Sequence, residues 1–248
     1  MSQVQARVGE VEQRLRPAEV GREAWLEARK ALLAREKAFT RERDALSAAR
    51  RALPMVRVGK RYVFDGPEGP RTLAELFEGR RQLIVYHFMF GPDWEQGCRS
   101  CSYVADNFAG GLVHLAARDT AFAAISRAPL AKLRAFQQRM GWSFRWLSSA
   151  GSDFNYDFHV SFRPGELAAK EVEYNYARTS FPHSEAPGVS VFLREGDAVF
   201  HTYSTYARGL DLLMNTYNYL DLTPLGRQED ADAGGMAWVR HHDRYEGP

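Results

Sequence analysis

Residues Leu83 to Phe90 read LIVYHFMF, a run with no alternation of polar and apolar side chains. A strand of this kind offers water neither of its faces, so it belongs in the middle of a sheet that is covered on both sides. The rest of the chain must then supply neighbouring strands at either edge and a helical layer above and below. The run falls far short of the roughly 20 apolar residues that cross a bilayer as a helix. Residues Met1 to Gln13 lack the apolar core of a secretory signal, and a cytoplasmic location is expected.

A chain of 248 residues suggests one large domain, or one domain with an appendage. Lys and Arg number 33 against 31 Asp and Glu, a net charge of +2. That balance announces neither nucleic acid nor membrane as a partner and leaves proteins or small molecules. Residues 1–53 hold 12 basic and 8 acidic side chains with few β-branched residues, a composition suited to an extended helix. Within it Trp25, Leu32, Phe39, Leu46 and Leu53 recur every seven residues and share one side. Arg35 and Glu42 occupy the companion positions, which argues against a full heptad seam. The stripe is expected to pack on this protein's own domain or on a second subunit, a homodimer through the N-terminal helix.

Pro54 ends the arm, because the residue before proline is pushed out of helical geometry. Val56, Val58, Tyr62 and Phe64, with the turn cluster Asp65 to Pro70, predict short strands. Thr72 to Glu75 fits a capping box. After the central strand, Cys98 to Asn107 reads as a helix, Gly110-Gly111 as a break and Leu112 to Ala117 as its continuation. Ala121 to Ser126 is a second strand. Pro129 suits the first turn of a helix with Leu130, Leu133, Phe136 and Met140 inward, and Gly141 suits its stop. Phe144 to Leu147 is a further strand, followed by an irregular aromatic region through Pro187. Val189 to Leu193 and Ala198 to Tyr203 flank Glu195-Gly196-Asp197, a hairpin signature. A last helix fits Ala207 to Leu220, and the tail from Gly234 is expected at the surface or partly mobile.

Strand, helix, strand, helix, insertion, antiparallel hairpin and final helix make an α/β fold of thioredoxin-like order, a central mixed sheet with helices on both faces. Its expected extent is residues 54–224, with an insertion at about 148–187. The N-terminal helical arm covers 1–53 and a tail covers 225–248.

Cys98 and Cys101 are the chain's two cysteines and form the spacing C-x-x-C. A strand-loop-helix junction puts Cys98 near a helix N-terminus, where unsatisfied N–H groups and the helix dipole favour an anion. Arg99 adds positive charge while Asp93, Glu95 and Asp106 oppose it, and a lowered Cys98 pKa is expected. Cys101 lies three residues along the same helical face and can attack a mixed disulfide formed at Cys98. Position therefore makes Cys98 the nucleophile and Cys101 the resolving thiol. No metal or organic cofactor is required, but an external reductant must recycle the pair.

The stretch LIVYHFMFGPDWEQGCRSCS, with SRAPL, GSDFNYDF, FHTYSTYARGLD, NYLDLTP and the arm's EARKALLAREKAFTRERDAL, resembles the bacterial thioredoxin-like family catalogued as domain of unknown function 899. The resemblance covers nearly the whole chain. It implies a thioredoxin fold and a dithiol-disulfide oxidoreductase, acting on a protein or small-molecule thiol or disulfide substrate that it does not name. Unlike the Trp-Cys-Gly-Pro-Cys site of ordinary thioredoxins, Trp94 stands apart from Cys98-Arg99-Ser100-Cys101. Pro187 is the nearest counterpart of the cis-proline that faces the thioredoxin dithiol.

Two other readings compete. In one, the protein is a noncatalytic binder whose cysteines pack inertly or form half of a zinc site, although none of the seven histidines stands at a companion spacing. In the other, Phe90-Gly91-Pro92 before Cys98 belongs to a thiol peroxidase. Glu95 then occupies the place of the Thr or Ser that would position peroxide, and an ionised carboxylate there cannot donate. Of the remaining candidates, His87 is expected to be a hydrogen-bonded buried histidine and the aromatics from Trp142 to Phe181 to be core. Asp153 and Asp157 are expected to be solvated acids, and Arg127 and Arg208 ion-pairing residues.

Overall fold

The computed structural model of this chain describes residues 17–229 and 235–246. The first turns expected of the N-terminal arm lie outside those residues. The chain divides into two units, one of residues 1–53 with 216–228 and the other of residues 54–215 with 229–248.

The first unit contains helix α1 (Arg22–Arg51). Ion pairs Lys30–Glu27 and Arg29–Glu36, each at 2.9 Å, run along its surface. No residue of the helix is buried, and Trp25, Leu32, Phe39, Leu46 and Leu53 are all exposed. In the segment 216–228, Arg227 pairs with Asp221 and lies 3.9 Å from the centre of the Tyr217 ring.

The second unit is built on an eight-stranded sheet in the order β1-β10-β9-β4-β5-β6-β2-β3. Its strands are β1 (Val56–Arg57), β2 (Val63–Gly66), β3 (Gly69–Thr72), β4 (Gln82–His87), β5 (Thr120–Ser126), β6 (Trp146–Ser148), β9 (Gly188–Glu195) and β10 (Ala198–Tyr206). Leu83 to His87 of the unalternating run form β4 with Gln82, fourth in that order, parallel to β5 and antiparallel to β9, and Phe88 to Phe90 continue beyond the strand. Alternation along β4 sends Leu83 and Val85 into a core with Leu76, Phe77, Phe154 and Phe192. Tyr86 points to the opposite face, where it meets Phe88 and Phe108 edge-on. The segments around Gly59 do not form a hairpin with each other. β1 joins β10 at one edge of the sheet, while β2 and β3 close the other.

Helices α2 (Arg99–Ala105) and α3 (Ala109–Ala116) connect β4 to β5, and α4 (Leu130–Arg139) connects β5 to β6. The expected break at Gly110-Gly111 is displaced. Both glycines lie inside α3, and the chain turns instead at residues 106–108, where Phe108 is drawn onto Phe122 and Phe144. The expected capping box is present: Glu75 accepts the Thr72 N–H at 2.6 Å, ahead of a 3-10 turn (Glu75–Phe77). Gly141, at φ +63°, follows α4 and its cap Met140 as expected.

The insertion carries two short helices, α5 (Phe154–Asp157) and α6 (Pro164–Ala169). A separate antiparallel pair, β7 (Val172–Tyr174) and β8 (Ala177–Thr179), follows. Phe154, Phe158, Phe162 and Tyr174 are buried, so these aromatics serve the core, whereas Tyr176 is exposed. The expected final helix is two elements. A 3-10 stretch (Ala207–Leu213) and α7 (Asn215–Leu220) are separated at Met214, whose ψ of 76° interrupts helical winding.

Candidate active site

Beyond β4 the chain stays extended because the end of β5 holds it. Phe88 N–H donates to Ile125 O at 3.0 Å, Ser126 Oγ to Phe88 O at 2.6 Å and Ala128 N–H to Phe90 O at 2.8 Å. The loop that follows is tied down by Lys132, whose Nζ donates to Pro92 O and Trp94 O. It returns at Cys98, whose N–H donates to Met89 O at 3.0 Å. Cys98, at φ −55° and ψ 130°, is the cap residue of α2, and its carbonyl accepts the N–H and the hydroxyl of Ser102. The expected strand-loop-helix junction is therefore present, with Cys98 partly exposed and Cys101 buried one turn on.

Both cysteines are free thiols, about 4 Å apart. The Cys98 pKa falls from 9.0 to about 7. The leading cause is a hydrogen bond from Cys101, which outweighs burial, and the Ser100 and Cys101 N–H groups and the Ser100 hydroxyl assist. The sequence led us to expect this direction, but Arg99 is exposed and is not among the causes. Cys101 shifts the opposite way, well above 9.0, driven by burial and then by its contact with Cys98. The Tyr86 hydroxyl bonds Cys101 from the sheet, and Met89 N–H points at its sulfur from 3.5 Å. One thiol is thus prepared to ionise near neutrality while its neighbour keeps a proton.

Of the supporting residues, Trp94 is half-buried, folds over Gly91 and meets the His183 ring edge-on at 6.1 Å. Pro187 immediately precedes Gly188, which pairs with His87 at the end of β4. Its carbonyl accepts the Tyr174 hydroxyl at 2.8 Å. Among the described residues no peptide bond is cis, so the bond before Pro187 is trans and the cis-proline analogy does not hold. Burial raises Tyr174 to about 12, with a smaller contribution from Cys101.

The other sequence candidates fall elsewhere. His87 is buried and bonds Ser190 Oγ at 2.8 Å, and Ser190 in turn bonds Ser204, which bonds His201. Asp153 and Asp157 are exposed, as expected, and both receive Lys60. Arg208 pairs with Asp211. Arg127 donates at 2.8 Å to Glu185, a buried carboxyl that also accepts Ser161 Oγ. Among the described residues no three His, Cys, Asp or Glu side chains gather as a metal would require.

Sequence reasoning passed over Glu185 and gave Tyr86 and Tyr174 no part beside the cysteines, and it expected the tail from Gly234 at the surface or partly mobile. Within residues 235–246 the first of those alternatives is met: Val239 and His241 are buried while residues 242–246 lie exposed. Val239 is fully buried, Trp238 meets Tyr103 edge-on, and Asp243 takes two hydrogen bonds from Arg139. Only the pairing of apolar Trp238 and Val239 with His241 in a polar tail hinted at this.

Strand order and the cysteine pair at the strand-helix junction together define a thioredoxin-like α/β fold with two free cysteines where β4 gives way to α2. The chain belongs to the family described as bacterial protein of unknown function (DUF899), whose model matches residues 15–245. None of the curated proteins matches it. Among solved structures it is similar to peroxidoxin BcpB from Mycobacterium tuberculosis, at 14% identity over 68% of this chain and 97% of that chain, with a TM-score of 0.45. A peroxiredoxin Q from Xanthomonas campestris is 12% identical over 62% and 87%, with a TM-score of 0.42. A hypothetical protein from Sinorhizobium meliloti is 17% identical over 73% and 84%, with a TM-score of 0.40. Among the described residues no helix is long and apolar enough to cross a membrane.

Proposed function

We propose that this protein is a cytoplasmic thiol-disulfide oxidoreductase that works through Cys98 and Cys101. The observation that carries the proposal is the opposed pair of thiols, a partly exposed Cys98 lowered to about 7 beside a buried Cys101 held as the thiol. The Cys98 thiolate attacks one sulfur of a substrate disulfide. A mixed disulfide forms, and the second substrate sulfur leaves as a thiolate that takes a proton from solvent. Once Cys98 is bonded it no longer carries charge, which removes one cause holding the Cys101 proton in place. Cys101 then loses that proton and attacks the Cys98 sulfur, releasing the first substrate sulfur as a second thiolate. The substrate has gained two electrons, the enzyme holds a Cys98–Cys101 disulfide, and an external thiol reductant restores the dithiol.

The test is a redox titration read by mass spectrometry on wild type, Cys98→Ala and Cys101→Ala, with metal content measured in parallel. Wild type should cycle between two free thiols and none, and Cys101→Ala should accumulate mixed disulfides on Cys98. Stoichiometric zinc whose removal unfolds the protein, or a Cys101→Ala variant that traps nothing, would overturn the reading.

We also propose that α1 pairs with the same helix of a second copy. Its large apolar column, Trp25, Leu32, Phe39 and Leu46, runs beside a column of Ala24, Ala31, Ala38 and Ala45. Large side chains of one helix can seat on the alanines of another. Native mass measurement should give a dimer that Phe39→Glu converts to monomer, and a monomeric wild type would sink the idea.

A further inference from the structure

The peptide unit that joins Gly97 to Cys98 is held at both ends. Its N–H, on Cys98, donates to Met89 O at 3.0 Å. Its carbonyl, on Gly97, lies 2.9 Å from Nε2 of His241, more than a hundred residues further along the chain. A carbonyl cannot donate, so His241 supplies the proton and Nε2 carries it. Gly97 itself has no spare room, because a Cβ there would come within 2.8 Å of the Phe88 ring and 2.9 Å of the Phe136 ring. His241 is buried with its ring edge-on to Phe136.

The segment around His241 is anchored to the same elements that carry the dithiol. Arg139 on α4 grips Asp243 through two hydrogen bonds of 2.8 and 2.9 Å and reaches Gln96 in the cysteine loop at 3.1 Å. His242 Nδ1 bonds Asp106, the cap of α2, at 2.7 Å, and Trp142 Nε1 bonds the same carboxylate. These contacts fasten the end of the chain to the loop before Cys98, to the helix after it and to the helix beneath.

We propose that His241 is a positioning residue for Cys98: by holding the Gly97 carbonyl it fixes the peptide plane from which the Cys98 side chain springs. The inference rests on the thiol-exchange function proposed above. Cys98 is a cap residue, and its φ and ψ set the direction of the Cα–Cβ bond from which the sulfur is carried. With the preceding peptide free to rotate, the sulfur loses its alignment with the Ser100 and Cys101 N–H groups and with the Cys101 thiol. His241 touches no reacting atom, and its effect reaches the sulfur through Gly97.

The experiment is the rate of Cys98 alkylation by iodoacetamide between pH 5 and 10, on full-length reduced protein, with the modified peptide identified by mass spectrometry. His241→Phe keeps an aromatic ring against Phe136 but cannot donate, and it should lower the rate at pH 6 by about tenfold, moving the profile about one pH unit upward. His241→Gln lacks the ring but keeps an N–H donor and should restore most of the wild-type profile. His242→Ala, which removes a tail contact without touching Gly97, should leave the profile in place. A folded His241→Phe with the wild-type profile would overturn the proposal, as would equal shifts in all three variants, which would mark a general packing role. If His241→Phe does not fold, a His241→Gln profile no different from that of an ordinary thiol would overturn it. A wild-type Cys98 that itself titrates near 9 would defeat the thiol-exchange reading instead, so the two failures are separable.

Discussion

The backbone of Met89 holds both cysteines: its N–H points at the Cys101 sulfur from 3.5 Å, and its carbonyl accepts the Cys98 N–H at 3.0 Å. Because these are main-chain groups, the spacing of the dithiol depends on the path of the chain past the end of β4, not on the side chain at position 89. The first prediction concerns the reactivity of the pair. A Cys98 pKa of about 7 makes half the thiol ionised at neutral pH, against about 1% for a thiol at 9. Alkylation of Cys98 in the reduced protein should rise through a midpoint near pH 7, with Cys101 unmodified until well above pH 9. A single midpoint near 9 for both cysteines would refute it.

Gly97 offers a structural check on the same loop. An added methyl must displace the Phe88 or Phe136 ring, both of which are buried against Trp142 and Trp146. Overpacking of this kind costs about 1–3 kcal/mol. Gly97→Ala should therefore lower the denaturation midpoint and, because Cys98 follows directly, slow its alkylation. Gly110→Ala is the control: a Cβ there meets nothing within 4 Å in the first turn of α3, and the substitution should leave stability unchanged or raise it by less than about 1 kcal/mol. Equal effects of the two substitutions would contradict the packing account.

His87 should make the protein acid-sensitive in a defined direction. Burial, and the nearby His201, lower its pKa from 6.5 to about 3. Between those values the unfolded chain binds a proton that the folded protein refuses, so stability present above pH 6.5 is lost as pH falls toward 3. At pH 4 the loss approaches about 3 kcal/mol. His87→Gln, which can still bond Ser190 but does not titrate, should be less stable than wild type at pH 7 because packing on Phe154 and Phe158 is lost. That gap should close as pH falls to 4. Urea midpoints at pH 7, 5.5 and 4 measure it, and a constant gap would rule the account out.

How much of this was legible in the sequence depends on how far apart the partners lie. The unalternating strand, the cysteine spacing, the Thr72–Glu75 box and the turn at Glu195-Gly196-Asp197 are decided by neighbouring residues, and each appears where the sequence puts it. The last helix was misread because Leu210, Leu213 and Met214 suit a 3-10 turn as well as an α-helix until the break at Met214 is seen. Gly110-Gly111 reads locally as a helix break, but the packing of Phe108 on Phe122 sets the turn at residues 106–108. The His241 contact with Gly97 and the Arg127–Glu185 pair join residues 144 and 58 positions apart, and no local pattern encodes them.

Glu185 supplies a prediction of the opposite sign to His87. Burial lifts its pKa from 4.5 to about 7 even though Arg127 and Ser161 both favour the carboxylate, so desolvation outweighs the ion pair. The folded protein holds the proton more tightly than the unfolded chain. The resulting stability is full below pH 4.5 and is lost as pH rises through 7, by about 3 kcal/mol at most. Glu185→Gln accepts from Arg127 and Ser161 without titrating, so its stability relative to wild type should climb between pH 5 and pH 8. The same carboxyl lies two residues before Pro187, whose carbonyl is held by Tyr174. Its ionisation should therefore disturb the segment that runs past the end of β4, and the rise of Cys98 alkylation through pH 7 should differ in shape between wild type and Glu185→Gln. Denaturant midpoints and alkylation profiles of the two proteins across pH 5 to 8 decide the matter, and parallel curves for both would defeat it.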